Sequence, residues 1–162
     1  MNVLITSASR KVGLVRAFKG AVEATGGGRV IAADVSALAP ALYEADAGII
    51  TRRSDDAAFV EDIRAICRRE SIGLIIPTRD EELPVFAAAK GAFAVGGVVV
   101  LVSTPDVDAT CQDKRRFAMA CAEAGLATPR VVDAPSVADL PLFIRPRRGK
   151  GGAGARVVRT AT

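Results

Sequence analysis

The chain has 162 residues, of which half are hydrophobic and a quarter are charged, with a formal net charge of +4 at pH 7. This composition supports a buried core, and the length suits one domain or one domain with part of another. No apolar run approaches the roughly 20 residues that span a bilayer, and the first residues lack the basic region of a signal peptide. We therefore expect a cytoplasmic protein without membrane contacts.

The residue types present restrict the possible chemistry. The chain contains no histidine, which excludes Ser-His-Asp and Cys-His catalysis and histidine-based metal sites. Its three cysteines, Cys67, Cys111 and Cys121, are odd in number and lack CxxC spacing, which argues against a disulfide framework or a zinc site. All three fall in segments that we predict to be helical, so we expect buried thiols and no metal site.

Short apolar runs alternate with helical patterns through the first hundred residues. This alternation predicts an α/β fold with a doubly wound parallel sheet. The predicted strands are 2–6, 29–33, 48–51, 73–77 and 98–102. The first predicted helix follows the first strand and ends near residue 24, and the other predicted helices cover 40–45, 55–70 and 80–90.

Polar residues follow the carboxyl ends of several predicted strands, where ligands bind in sheets of this kind. Hydroxyl and guanidinium groups after the first strand suit a carboxylate or phosphate, and the acids after the fourth suit an amine or a metal. Each of these groups could instead serve as an ordinary helix cap or turn residue. The candidate substrate-binding residues are Ser7, Ser9, Arg10, Asp34, Thr78, Asp80 and Glu82.

The pattern changes near residue 105, where we place a domain boundary. Thr104-Pro105-Asp106 is typical of a helix start, and residues 113–124 form another helix that Gly125 ends. Two predicted strands, 142–145 and 155–159, then flank a glycine-rich loop, residues 149–154. This order predicts an antiparallel hairpin.

The glycine-rich loop is the strongest local signal for a ligand site. Glycines let backbone N–H groups approach phosphate oxygens, and neighbouring cations offset the phosphate charge. The GxxxxGK[ST] spacing is absent, and a solvated basic hairpin is the alternative interpretation. No aromatic residue lies within residues 145–154 to stack bases, so we expect no nucleic-acid partner. The last 23 residues contain no acid and six basic residues: Arg145, Arg147, Arg148, Lys150, Arg156 and Arg159.

The loop and the segment before it resemble the ATP-grasp family. In that family a strand ending in Lys-Pro precedes a glycine-rich loop, and Leu140-Pro-Leu-Phe-Ile-Arg-Pro146 is similar to that strand. The segments Cys111-Gln-Asp-Lys-Arg-Arg-Phe117 and Ala124-Gly-Leu-Ala-Thr-Pro129 resemble the family's helix whose lysine approaches the nucleotide phosphates. Lys114 matches that lysine.

The first hundred residues resemble the domain that precedes the ATP-grasp domain. Val3-Leu-Ile-Thr-Ser-Ala-Ser-Arg-Lys-Val-Gly13 and Ile75-Ile-Pro-Thr-Arg-Asp-Glu-Glu-Leu83 are similar to patterns of carbamoyl-phosphate-synthase-like members. The resemblance implies a Rossmann-like domain over residues 1–104 and the beginning of an ATP-grasp domain over 105–162.

The resemblance also implies a function. Complete relatives use ATP to phosphorylate a carboxylate (or bicarbonate), and an amine then attacks the acyl phosphate. The implied cofactors are ATP and Mg²⁺, and the implied partners are small-molecule carboxylate and amine substrates, with a homo-oligomer as one further option. The implied ATP-binding residues are Lys114, Arg145, Gly149, Lys150, Gly151, Gly152 and Gly154.

Two departures from the family pattern lead to further expectations. Arg145 stands where the family has a lysine, and a guanidinium differs from an ammonium in shape. The family's magnesium ligands would lie in a following section, so we expect weak or absent nucleotide binding and no turnover by these 162 residues.

Two other classes stay open. A non-catalytic α/β domain would bind a small molecule at the tips of the sheet without a nucleotide. An NAD(P)-binding Rossmann oxidoreductase would use Asp34 and the turn Ser7–Gly13, although only Gly13 matches a glycine of the dinucleotide motif.

Overall fold

A computed structural model describes residues 1–149 and 151–160. The chain divides into two compact units, the first covering Met1–Pro105 and the second beginning at Asp106.

The first unit alternates strands and helices, as the sequence predicts. Its strands are short runs rich in Val, Ile, Leu and Ala, which suit the interior of a parallel sheet covered on both faces. The strands are β1 (Asn2–Ile5), β2 (Val30–Asp34), β3 (Ala47–Ile50), β4 (Ile72–Ile76) and β5 (Val99–Val100), and the helices are α1 (Val12–Ala24), α2 (Pro40–Glu44), α3 (Phe59–Arg69) and α4 (Leu83–Val95).

The five strands form one parallel sheet in the order β3-β2-β1-β4-β5, which confirms the predicted doubly wound α/β fold. Leu4 of the central strand β1 pairs with Ile31 of β2 and with Ile75 of β4. After β1 the chain adds strands on one side, and from β4 onward it adds them on the other. The carboxyl ends of β1 and β4 therefore form the switch point at which sheets of this class bind ligands.

The sheet separates two hydrophobic clusters, because successive side chains of a strand point to opposite faces. Leu4 lies in the cluster that α3 and α4 cover, together with Phe59, Phe86 and Phe93. The ring of Phe86 is 5.6 Å from that of Phe59 and 5.8 Å from that of Phe93, between ring centroids. Val3 and Ile5 lie in the opposite cluster with residues of α1 and α2.

Several predicted boundaries were wrong, for local reasons. The fourth helix begins at Leu83, because the Glu82 side chain turns into the core and accepts hydrogen bonds from β1 and the turn after it. Pro84 then occupies the first turn, where its missing N–H costs nothing. Asp34 is the last residue of β2 and not the residue after it. The fifth strand has only two residues.

Within the described residues, the second unit contains two α-helices, a 3-10 helix (Val137–Asp139) and the predicted antiparallel hairpin, in which Leu142 pairs with Val158. The prediction of three buried thiols was wrong for Cys111, which is exposed, whereas Cys67 in the first unit is buried. None of the described helices is long and apolar enough to cross a membrane. The elements are α5 (Pro105–Gln112), α6 (Lys114–Glu123), β6 (Leu142–Ile144) and β7 (Arg156–Val158).

We expect Phe86→Ala to lower the free energy of unfolding by about 3–5 kcal/mol, because it leaves a cavity between two other phenyl rings. Urea unfolding followed by circular dichroism measures this change. Val95→Ala, on the same helix at a side chain that is 91% exposed, is the control and should stay within about 0.5 kcal/mol of wild type. Equal effects of the two substitutions would contradict the packing described.

Candidate functional site

Glu82 is the centre of a hydrogen-bond network at the switch point between β1 and β4. Glu82 is only 2% exposed to solvent. One carboxylate oxygen accepts from the Ser7 hydroxyl at 2.8 Å, and the other accepts from the Thr6 hydroxyl at 3.0 Å and the Thr78 N–H at 3.4 Å. The carboxylate thus joins the residues that follow β1 and β4 to the beginning of α4.

Further hydrogen bonds fix the turn after β1. The Thr78 hydroxyl lies 2.7 Å from the carbonyl oxygen of Thr6 and 2.8 Å from that of Ser7. The Lys11 ammonium donates to the same Ser7 carbonyl at 3.1 Å. Ser7 and Ser9 both have φ of +47°, a left-handed conformation that costs a non-glycine residue energy and must be held by its surroundings.

Asp34 fixes the same turn from the β2 side. Its carboxylate accepts from the N–H of Ser9 at 2.8 Å and from the N–H of Ser36 at 3.0 Å. Asp34 is 7% exposed, so most of its hydrogen-bonding capacity serves the protein itself. The structure therefore brings Ser9 together with Asp34, and Ser7 and Thr78 together with Glu82. Arg10 and Asp80 are exposed.

Burial raises the pKa of Glu82 above its ordinary value of 4.5, and hydrogen bonds from Ser7, Thr6 and Thr78 oppose that effect. No described basic group forms an ion pair with this carboxylate. The arrangement is that of a buried acid that supports the turn.

The glycine-rich loop of the second unit lies against the first residue of α6. The Lys114 ammonium donates to the carbonyl oxygen of Gly149 at 2.7 Å, and the Lys114 N–H donates to the carbonyl oxygen of Arg147 at 3.0 Å. Two sequence-predicted components, Lys114 and the glycine loop, are therefore adjacent although 35 residues separate them in the chain.

Asp113, which the sequence reasoning missed as a site residue, caps α6 and is 1% exposed. It accepts from the N–H groups of Arg115 and Arg116 at 3.1 and 3.2 Å, and its two carboxylate oxygens lie 2.8 and 2.7 Å from Arg147 Nε. The hydrogen bond from Arg147 lowers the pKa of Asp113 to about 2. A capping residue before a helix was a recognisable signal, whereas its pairing with Arg147 was not local.

The remaining predicted phosphate ligands differ in their surroundings. Arg145 follows β6, is exposed, and makes no hydrogen bond or ion pair with any described residue. Gly149, Gly151, Gly152 and Gly154 all have positive φ. Lys150 lies outside the described residues.

A five-stranded parallel sheet with flanking helices, together with a small antiparallel hairpin, matches the N-terminal domain of ATP-grasp enzymes. The model of the family described as "PylC-like, N-terminal domain" matches residues 3–101. The chain belongs to this ATP-grasp-associated family, which confirms the resemblance that the sequence motifs indicate. Comparison with the curated proteins found no match.

Solved structures share the fold over nearly the whole chain. The L-amino acid ligase from Bacillus licheniformis matches with a TM-score of 0.68 and 18% identity over 99% of this chain and 39% of its own. The biotin carboxylase domain of Hydrogenobacter thermophilus 2-oxoglutarate carboxylase was solved with MgADP, ADP and bicarbonate. It matches with a TM-score of 0.68 and 17% identity over 98% of this chain and 37% of its own. The N5-carboxyaminoimidazole ribonucleotide synthetase from Thermotoga maritima matches with a TM-score of 0.64 and 15% identity over 98% of this chain and 41% of its own. The chain thus spans about two fifths of the length of these three chains.

We expect Glu82→Ala to destabilise the first unit by roughly 1–3 kcal/mol, because the buried Thr6 hydroxyl loses its acceptor. Glu81→Ala is the matched control, since Glu81 is exposed and its ion pair with Arg79 is worth at most about 1 kcal/mol. Urea unfolding at pH 7 compares the two. A smaller effect at Glu82 than at Glu81 would show that the network does not support the fold.

The stability of wild type relative to Glu82→Gln should fall as the pH rises above 4.5. The pKa of this carboxyl group is raised in the folded state, so from 4.5 upward the unfolded chain releases the proton before the folded chain does. The loss is complete once the pH exceeds the folded pKa. Urea unfolding of both proteins between pH 4 and pH 8 tests this, and a difference that grows with pH would contradict it.

Proposed function

We propose that the chain supplies the phosphate-binding and acceptor-side parts of an ATP-dependent carboxylate–amine ligase of the ATP-grasp class. The observation that carries the proposal is the 2.7 Å contact between Lys114 Nζ and the Gly149 carbonyl oxygen, which places the cation directly at the glycine loop. Family membership and the shared fold support the same class.

The loop has the properties that a triphosphate requires. Four of its glycines adopt positive φ, so the N–H groups are not shielded by side chains. A Cβ atom on Gly154 would come within 2.9 Å of Pro146 Cγ, so this position requires glycine for steric reasons as well. Lys114 and Arg145 add positive charge, and the exposed guanidinium of Arg145, which pairs with no described residue, can bind phosphate oxygens in a bidentate manner.

In this proposal, bound ATP would supply the phosphoryl group that activates a carboxylate, or bicarbonate in a carbamoyl-phosphate-synthase-like enzyme. The loop N–H groups hold the phosphates in place, and the cations offset the charge that grows during transfer. No three His, Cys, Asp or Glu residues within the described ranges are arranged to hold a metal, so we assign no Mg²⁺ ligand among them.

The switch point of the first unit is the proposed acceptor side. Glu82 and Asp34 are already occupied by internal hydrogen bonds, so we assign them to supporting the turn after β1. The exposed Arg10 is then the group that could contact a small substrate, and its guanidinium suits a carboxylate.

We expect ATP and inorganic tripolyphosphate to shift the amide NMR signals of Lys114, Gly149, Gly151 and Gly152, with affinity on the order of 1 mM for so few contacts. Adenosine should leave these signals unchanged, because the proposed contacts are with phosphates. Lys114→Ala should weaken binding severalfold, since one charge-assisted contact is lost. The matched control is Arg116→Ala, which removes an equal charge two residues along the same helix.

The same titration separates the alternatives. Shifts confined to Ser7–Gly13 on addition of NAD(P) would contradict the proposal and favour a dinucleotide-binding domain. Binding of amino acids or carboxylates at this turn, without any response to ATP or tripolyphosphate, would favour a non-catalytic small-molecule-binding domain.

A further inference from the structure

The buried carboxylate of Asp113 holds the start of the glycine loop on the first turn of α6. We infer that this contact between Asp113 and Arg147, called here the Asp113 latch, positions the loop and Lys114 for phosphate binding. The functional part of this inference rests on the function proposed above. The latch assigns Asp113 and Arg147 as positioning residues that act through their neighbours.

The geometry of Asp113 exceeds what a helix cap needs. One oxygen, Oδ1, accepts from both free N–H groups of the first turn, those of Arg115 and Arg116. A Ser, Thr or Asn could supply that acceptor equally well. Arg147 Nε lies 2.8 Å from that same oxygen, Oδ1, and 2.7 Å from the second oxygen, Oδ2, and only an ionised carboxylate sets a negative charge against the guanidinium.

The backbone reinforces the side-chain contact. The N–H of Lys114, the residue next to Asp113, donates to the carbonyl oxygen of Arg147 at 3.0 Å. Arg147 is therefore held by its side chain at the cap residue Asp113 and by its backbone at Lys114, the first residue of α6. Two residues further on, the Gly149 carbonyl oxygen meets Lys114 Nζ. The latch thus determines how close the loop lies to the lysine.

The latch also divides the cations of this segment into two roles. The guanidinium of Arg147 is engaged by Asp113, whereas Arg145 makes no hydrogen bond or ion pair with the rest of the described chain. Arg148 is 4.0 Å from Asp113 and 73% exposed, so it contributes little to the latch. We therefore assign loop placement to Arg147, and direct phosphate contacts to Arg145 and Lys114.

Hydrogen exchange of two amides in the same helix tests the latch without any ligand. The Lys114 amide is protected by the Arg147 carbonyl, whereas the Phe117 amide is protected by the Asp113 carbonyl within α6. Asp113→Asn keeps an oxygen for the cap and removes the charge. This substitution and Arg147→Ala should both accelerate exchange at Lys114 several-fold and leave exchange at Phe117 unchanged. Arg148→Ala is the control and should change neither amide.

The second part of the test measures how tightly the same protein variants bind inorganic tripolyphosphate. Asp113→Asn and Arg147→Ala should weaken binding roughly fivefold, as expected for the loss of one partly exposed ion pair. Arg145→Ala should weaken binding without changing exchange at Lys114, because it removes a ligand and not a positioning group. Unchanged exchange at Lys114 in both latch variants would overturn the latch.

The failure of the latch is distinguishable from the failure of the proposed function. If wild type binds neither ATP nor tripolyphosphate, the proposed function is wrong, together with the binding role of the latch. The exchange data then still decide whether the latch holds the loop. If wild type binds and the latch variants bind equally well, the positioning role is overturned while the proposed function stands.

Discussion

The strand β1 has its side chains buried on both faces of the sheet and a parallel partner on each side. Its last residues must therefore leave the sheet at the point where the two halves of the fold diverge. Thr6 is buried there, so its hydroxyl needs a hydrogen-bond partner, and the half-buried Ser7 and Thr78 add two further donors. Glu82 meets that need with one carboxylate that accepts hydrogen bonds from three residues. The turn after β1, the start of α4 and the shape of the sheet edge all depend on this group.

The same physical device recurs in both units. Asp34, Glu82 and Asp113 are each less than 10% exposed, and each accepts hydrogen bonds that join a loop to a neighbouring element. A buried carboxylate is costly unless such donors surround it, so these acids are held firmly and hold their loops firmly. Their positions next to the proposed ligand sites follow from this role. They shape the sites without being free to contact a substrate through all of their oxygens.

Much of the fold could be predicted from local patterns. The apolar runs indicated all five parallel strands, and the glycine-rich loop indicated the hairpin. The predicted ends of helices and strands were less accurate where a residue far away in the sequence determines them. The acids of Asp80–Glu82 suit the first turn of a helix, yet Glu82 turns toward Thr6 and Ser7, and α4 begins after it. No pattern within a dozen residues contains that information.

The candidate site shows the same limit. Lys114 and the glycine loop were predicted from short motifs, and the structure brings them together. The sequence could not predict which arginine forms an ion pair within the protein, because the Arg147–Asp113 contact joins residues 34 positions apart. Asp113 was recognisable only as an acid at the start of a predicted helix. Its second function depends on how the hairpin folds back onto α6.

The most direct test of phosphate binding by Lys114 and the glycine loop is a crystal structure of this chain with a non-hydrolysable ATP analogue. We expect phosphate oxygens within hydrogen-bond distance of Lys114 Nζ and the glycine-loop N–H groups, with Arg147 still bound to Asp113. Phosphates bound instead at the turn Ser7–Gly13, with the glycine loop unoccupied, would contradict it.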